Sequence, residues 1–325
     1  MRAIAFSVGE YEEPLLHDAN QNRHELTLLT DPLTVANADQ ADGYDAVLVS
    51  GKDDASEAVL KKLADLNIRY LLTRSAGVDH IDTEAAETLG IAVKSIPRYS
   101  PSAIAEHAVA LMLALGRHLI ETTDNIRRFD FSLTKELVGF ELNGKTAGIA
   151  GYGNIGQVLG KILTGFGCTL LAFDSKPDKA RAESEVPVEM VGMDELLKRS
   201  DIISLHLPLT DETKSMFNAD TFGNMKPGAM LINTGRGAVV DTKAAIDALK
   251  SGQLGYLGID VYENEQGLFA EDKSGTGQRD PLVEELLRLP NAMITGHQAF
   301  LTQEALESMA KQSIEILTNW ETRNN

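Results

Sequence analysis

Short runs of aliphatic and β-branched residues alternate along the chain with stretches of helical period, the pattern of parallel sheets built from βαβ units. Two series separate. The first predicts strands at Ala3–Phe6, Glu25–Leu29, Ala46–Val49, Tyr70–Leu72 and Ile91–Lys94, a small flavodoxin-like domain. The second predicts strands at Thr146–Ala150, Thr169–Phe173, Val186–Val191, Asp201–Leu205, Met230–Asn233, Tyr256–Asp260 and Ala292–Thr295, enough for a full doubly wound sheet. The expected class is α/β, with two doubly wound parallel-sheet domains.

Helix punctuation agrees with this reading. Asp82 is placed to cap a helix carrying Glu84 to Leu89, closed by Gly90, and Asp241 to cap Thr242–Leu249, closed by Gly252. Between the two series, Ser95–Pro101 holds two prolines and reads as a hinge segment. The helix after it, Ala103 to Leu119, has almost no polar face, so it must be buried between domains or against another subunit. Glu106 and His107 on that helix read as a satisfied interface pair. Glu263–Asp280 is long for a connection and reads as a surface excursion. The last helix, about Gln303 to Trp320, is expected to return to the first domain.

Composition narrows the partners. A chain of 325 residues, 43% hydrophobic, is ample for about two packed domains. Lys and Arg number 30 against 48 Asp and Glu, a formal charge of −18, and a field of that sign repels phosphate backbones and anionic lipid. No nucleic acid and no membrane partner is expected. Met1–Phe6 is too short an apolar run for a signal peptide, and no stretch approaches the ~20 apolar residues of a membrane span, so a cytoplasmic protein is expected. The single cysteine, Cys168, sits at the start of an apolar run and reads as a buried, inert thiol. The histidines show no metal-ligand spacing, and no metal is expected.

The chemistry begins at Gly151-Tyr152-Gly153-Asn154-Ile155-Gly156, which follows a strand and opens a helix. Gly151 makes the tight turn, Gly153 lets the backbone approach a pyrophosphate, and Gly156 lets helix and strand pack closely. The N–H groups of Asn154 and Ile155 then face the negative charge. Asp174 ends the next strand 18 residues beyond Gly156, near the ~20 of a carboxylate that accepts the ribose hydroxyls and repels a 2′-phosphate. NAD is therefore expected over NADP, with Lys176 and Lys179 blunting the preference.

Three more charged groups stand at the ends of later strands, where ligands of doubly wound sheets bind. Arg236 lies in Asn233-Thr234-Gly235-Arg236-Gly237, and its planar fork suits a substrate carboxylate and can polarise the adjacent carbonyl. Glu265 follows one strand and His297 another, so they can meet, with the carboxylate raising the imidazole pKa for proton donation. Taken singly, Arg236 could be a surface ion-pair partner, Glu265 a loop charge and His297 a strand-end residue. Their joint occurrence after a dinucleotide fingerprint, all at strand ends, points to a functional site rather than to three separate structural roles. His206, ending Asp201–Leu205 before Pro208, reads first as a structural strand-end residue and second as one lining the cofactor cleft, and Thr234 is placed on the cofactor side.

These residues together resemble the NAD-dependent D-2-hydroxyacid dehydrogenases, and within that family the fermentative D-lactate dehydrogenases. The resemblance is carried by Thr73–Asp79, Tyr99–Pro101, Gly151–Gly156, Asn233–Gly237, Asp260–Glu265 and Thr295–Thr302. It implies a substrate domain of residues 1–99 and 300–325, an NAD domain of residues 100–299 inserted between them, a deep cleft, and a homodimer made through the long apolar helix. Arg236 then corresponds to the substrate-binding arginine, His297 to the general acid and base, Glu265 to its partner, and Asp260 to an aspartate that tunes the histidine and cofactor binding. Backbone N–H groups of Ala76 and Gly77 would hold the substrate carboxylate, with Tyr99 and Phe300 lining its side-chain pocket. The implied reaction reduces a 2-oxo acid, pyruvate first, to the D-2-hydroxy acid. Larger acids stay open: (R)-2-hydroxyglutarate dehydrogenases share Thr73–Asp82 and Pro97–Glu106, but where they place a basic residue this chain reads Ser50, with Lys52 slightly beyond. Formate dehydrogenases pair the histidine with Gln, unlike Glu265. A dinucleotide-sensing regulator on the same scaffold is the alternative from another class.

Overall fold

A computed structural model describes residues 1–269 and 272–324. The chain divides into two compact units, Met1–Ser100 with Phe300–Asn325, and Pro101–Ala299.

The first unit holds strands β1 (Arg2–Ala5), β2 (Glu25–Leu28), β3 (Ala46–Val49), β4 (Tyr70–Thr73) and β5 (Ala92–Lys94) and helices α1 (Glu13–Asn20), α2 (Glu57–Asp65) and α3 (Thr83–Thr88). All pairings are parallel in the order β2-β1-β3-β4-β5, the flavodoxin-like arrangement. Alternate strand residues feed opposite faces. Ile4, Val47 and Leu71 pack on Val59, Leu60 and Leu63 of α2, whereas Ala3, Ala46 and Leu72 pack beside Leu16 of α1. Asp82 caps α3 by accepting the Ala85 N–H at 2.9 Å, and Gly90 follows it with φ +71°.

The second unit carries helices α4 (Pro101–Gly116), α5 (Leu119–Arg127), α6 (Asn154–Gly165), α7 (Pro177–Ala182), α8 (Met193–Arg199), α9 (Ala219–Asn224), α10 (Thr242–Ser251) and α11 (Pro281–Leu287). Its strands are β6 (Thr146–Ala150), β7 (Thr169–Phe173), β8 (Glu189–Met190), β9 (Ile202–Leu205), β10 (Ala229–Asn233), β11 (Leu254–Ile259) and β12 (Ala292–Ile294). They form one parallel sheet, β12-β11-β10-β9-β6-β7-β8. Burial on both faces is what makes its strands continuous apolar runs. Ile149, Ile202 and Ile232 meet α4 and α6, while Ala150, Ile203 and Leu231 meet α8, α9 and α10. The expected strand Val186–Val191 shrinks to two residues, because Pro187 has no N–H to give a ladder.

The long apolar helix differs from expectation in both length and burial. It ends at Gly116, whose carbonyl accepts the Phe140 N–H at 3.0 Å, and the chain breaks through His118 in the left-handed region before α5 starts. Its apolar residues, among them Leu111, Met112 and Leu115, are buried within their own unit against the sheet and α6. Among the described residues no single helix is long and apolar enough to cross a membrane; α4 and α5 reach that length and apolarity only as a pair, bent by 59°.

The last helix, α12 (Gln303–Asn324), belongs to the first unit, packing Met309, Ile314 and Leu317 on the β1 and β3 face and stacking Trp320 on Tyr70 at 4.6 Å. Cys168 is half-buried, its thiol donates to the Leu142 carbonyl at 3.3 Å, and burial followed by the Asp201 charge raises its pKa, so the thiolate is disfavoured.

Candidate active site

The register of the seven-stranded sheet sets the site. Ala150 is level with Phe173 and Leu205, Asn233 with Leu205 and Ile259, and Ile259 with Ile294. The next residue on each strand is therefore Gly151, Asp174, His206, Thr234, Asp260 or Thr295, six groups leaving one sheet edge together. All of these but Gly151 carry a polar side chain, and on β10 the polar character begins one residue earlier, at Asn233.

On the β6 side, Gly151 has φ +92°, and a Cβ there would lie 2.5 Å from the His206 carbonyl oxygen. A Cβ on Gly156 would meet the Gly151 carbonyl at 2.3 Å, so glycine permits the close turn into α6. Gly153 faces open space and stands as N-cap before Asn154 and Ile155, without a capping side chain. Asp174 is fixed by accepting the Tyr152 N–H at 3.0 Å and the Lys176 N–H at 2.8 Å.

On the β10 to β12 side, buried Asn233 shapes the arginine loop: its amide donates to the Arg236 carbonyl at 2.9 Å and its oxygen accepts the Gly235 N–H at 3.1 Å. Glu265 uses one oxygen to accept the Tyr262 N–H at 2.9 Å and the other to meet Nδ1 of His297 at 2.8 Å. The His297 side chain is 44% exposed, leaving the ring open to a reactant. Desolvation works to lower its pKa, but the Glu265 hydrogen bond and charge, reinforced by Asp260, outweigh it; Arg236 opposes them, and the net shift is upward. Asp260 is fully buried and spends its carboxylate on the protein itself, accepting from the Thr295 hydroxyl at 2.6 Å and from the Gln298 and Ala299 N–H groups at 2.9 Å. It therefore builds the loop of His297, and no direct contact with a cofactor is needed to explain it.

In the first unit, the loop after β4 leaves Ala76 exposed and Gly77 half-buried, with the Ser75 hydroxyl donating to the Gly77 carbonyl at 2.8 Å. Tyr99 and Phe300, from distant parts of the chain, meet edge to face with centroids 6.4 Å apart.

The family model of the D-isomer specific 2-hydroxyacid dehydrogenase NAD-binding domain matches residues 109–299. The chain belongs to that family. It is 42% identical to the D-lactate dehydrogenase of Escherichia coli strain K12, over 99% of this chain and 97% of that protein. Among solved structures, it is similar to the pyruvate reductase of Chlamydomonas reinhardtii (TM-score 0.89, 38% identity, 98% of this chain and 96% of that one). It is also similar to the Aquifex aeolicus D-lactate dehydrogenase solved with NAD and lactic acid (TM-score 0.88, 32% identity, 98% and 95%).

This dehydrogenase has residues that fit its family's NAD. Two buried polar atoms at the sheet edge, His206 Nδ1 and Thr234 Oγ1, have no hydrogen-bond partner within the described protein, as expected of groups awaiting a ligand. Burial lowers the His206 pKa to about 4, so the ring is neutral, and its Nε2 is already engaged with the Ser204 hydroxyl at 3.0 Å. The open Gly153 cradle, the α6 N-terminus and the anchored Asp174 are the groups that would hold its phosphate and ribose ends.

Sequence reasoning misses two groups. Asn233 lies in the arginine motif without a role of its own there, and His107 reads as the partner of its neighbour Glu106. The structure instead sets His107 Nε2 3.0 Å from the Thr295 hydroxyl. For Asn233, its place as the polar last residue of an otherwise apolar strand, two positions before Gly235, is an available signal.

Proposed function

We propose that the chain reduces pyruvate to D-lactate with NADH, using His297 as general acid, Glu265 as its partner and Arg236 as the substrate-binding cation. The observation that carries this is the His297–Glu265 pair at 2.8 Å on a partly exposed ring, within the field of Arg236. The relatives named for lactate and pyruvate support the substrate.

Bound NADH supplies the hydride that adds to C2 of the 2-oxo acid. Arg236 stabilises the negative charge growing on the ketone oxygen, and protonated His297 gives that oxygen its proton. The carbonyl π bond breaks, an O–H bond forms, and Glu265 is left hydrogen-bonded to a neutral imidazole. Ala76 and Gly77 offer N–H groups to the substrate carboxylate, and the Tyr99–Phe300 pair bounds its side chain. Gly151, Gly153, Asn154, Ile155 and Gly156 hold the pyrophosphate, Asp174 the ribose, and His206 and Thr234 the nicotinamide end, with Asp260 acting through the His297 loop. A cytoplasmic setting fits the need for an NADH pool.

The test is NADH consumption with pyruvate, 2-oxoglutarate, 2-oxoisocaproate, phenylpyruvate and hydroxypyruvate in turn. Pyruvate is expected to give the highest kcat/KM and a D-product; no turnover with any of them overturns the reading.

We also infer a homodimer, with its seam moved from the long helix to the segment beyond its C-terminal end. Leu119, Ile120, Phe129, Phe131, Leu133 and Val138 are exposed in one stretch, Phe129 at 88% and Leu133 at 97%, and such a concentration marks an interaction surface. Replacing Phe129 and Phe131 with Ser is expected to shift the mass measured by light scattering from dimer to monomer. A monomeric parent, or a variant that stays dimeric, refutes it.

A further inference from the structure

His297 has φ +54°, a left-handed conformation that side chains other than glycine adopt at a cost and that surrounding structure must enforce. Its backbone N–H donates to the Asp260 carbonyl at 2.7 Å, and the next two N–H groups donate to the Asp260 carboxylate. That carboxylate also accepts from the Thr295 hydroxyl at 2.6 Å. A hydroxyl has one proton, and a carboxylate can only accept. The Thr295 oxygen is therefore left to accept from its second neighbour, Nε2 of His107 on α4, at 3.0 Å. The same nitrogen is 3.5 Å from Asp260 Oδ1. An ordered relay results, from His107 N–H to the Thr295 hydroxyl to Asp260, and Asp260 holds three consecutive backbone N–H groups of the turn that presents the acid.

We propose that His107 is a positioning residue for His297, acting through the Thr295 hydroxyl on Asp260. It deepens the reading of His297 as the general acid and rests on it for that role. His107 touches neither the His297 ring nor Glu265. It fixes the turn from the side of α4, so the ring stays aimed with Nδ1 on Glu265. The charged groups acting on the ring are Glu265 and Asp260 from beyond β11 and Arg236 from beyond β10.

The experiment compares His107→Leu, His107→Gln, Thr295→Val and the Leu/Val double variant. Two readouts are used: NMR titration of the His297 ring in the protein without cofactor, and kcat with KM for pyruvate and NADH. His107→Leu is expected to move the His297 titration down toward its ordinary range. It is also expected to lower kcat about tenfold, since small displacements of a catalytic group cost up to about 100-fold, with the KM for NADH unchanged. His107→Gln, which still offers an N–H, restores most of both. Thr295→Val matches His107→Leu, and the double variant is no worse than either, because one chain is cut twice. An unchanged titration and kcat, a Gln variant as impaired as Leu, or multiplying effects in the double variant would overturn the proposal. Should His107→Leu not fold, the near-isosteric Thr295→Val decides by the same readouts. A parent protein that reduces no 2-oxo acid defeats the dehydrogenase reading instead, and the titration still judges the positioning role.

Discussion

Replacing Glu265 with Gln isolates the charge that the proposed mechanism needs. The amide keeps an oxygen able to accept from His297 Nδ1 while removing the negative charge now 2.8 Å away. An opposite charge at such range moves a pKa by about 1 to 3 units. The His297 side chain is 44% exposed and that of Glu265 29%, so solvent screening sets the effect near the lower end, about 1 unit or about 1.4 kcal/mol. Asp260 remains to hold the ring, and Arg236, which opposes it, is less balanced than before.

The sign is set by the direction of the reaction. Reduction uses the protonated ring, whose pKa is raised above its ordinary value, so the falling limb of kcat/KM for pyruvate lies above that value in the parent. In Glu265→Gln the limb moves about 1 unit lower. At a pH above both limbs the variant is about tenfold slower, and below both the two proteins agree. Oxidation of D-lactate uses the neutral ring, so its rising limb moves down by the same amount. The assay is the pair of pH profiles, with NADH affinity by fluorescence as the control for an intact cofactor site. Limbs that stay in place in both directions, in a variant that still binds NADH, refute the assignment of Glu265.

Arg236→Lys is expected to lower kcat/KM by about 100-fold or more with NADH affinity unchanged, because an ammonium cannot reproduce the planar fork; undiminished turnover sinks that role. Asp174→Ala is expected to weaken NADH binding about tenfold and to narrow the preference over NADPH, as read by titration with both cofactors; an unaltered preference refutes it. For His206, the folded pKa of about 4 lies below the ordinary 6.5, so stability present above pH 6.5 is lost as pH falls toward 4. The loss approaches about 3 kcal/mol. Denaturant melts across that window should show it in the parent and not in His206→Gln, and parallel curves would refute it.

The sheets were legible because buried parallel strands are written as unbroken apolar runs: Ala46–Val49, Thr146–Ala150 and Thr169–Phe173 fall where the pattern puts them. Asp174, His206 and Asp260 were legible for the same reason, since each is the polar residue that follows a largely apolar strand. What the letters hid depended on distance in space. His107 and Thr295 are 188 positions apart, so no periodicity joins them, and the adjacent Glu106 offered a misleading local partner. The break after Gly116 was hidden too, because the group that terminates α4 is the Phe140 N–H from another segment. An apolar helix announces that it is buried without saying against what.

The same contrast explains why the most buried polar residues of the second unit are not the proposed reacting ones. Asn233 and Asp260 are both fully buried at strand ends, and both side chains bond to neighbouring loops. A buried amide or carboxylate must be satisfied, and by satisfying itself on the loops of Arg236 and His297 each converts its own desolvation into a fixed backbone path. Substitution of either removes hydrogen bonds that hold such a loop, so the loss should appear as a displaced arginine or histidine rather than as a missing chemical group. Arg236 and His297 can then remain partly exposed and reactive, because their positions are determined by neighbours that are neither.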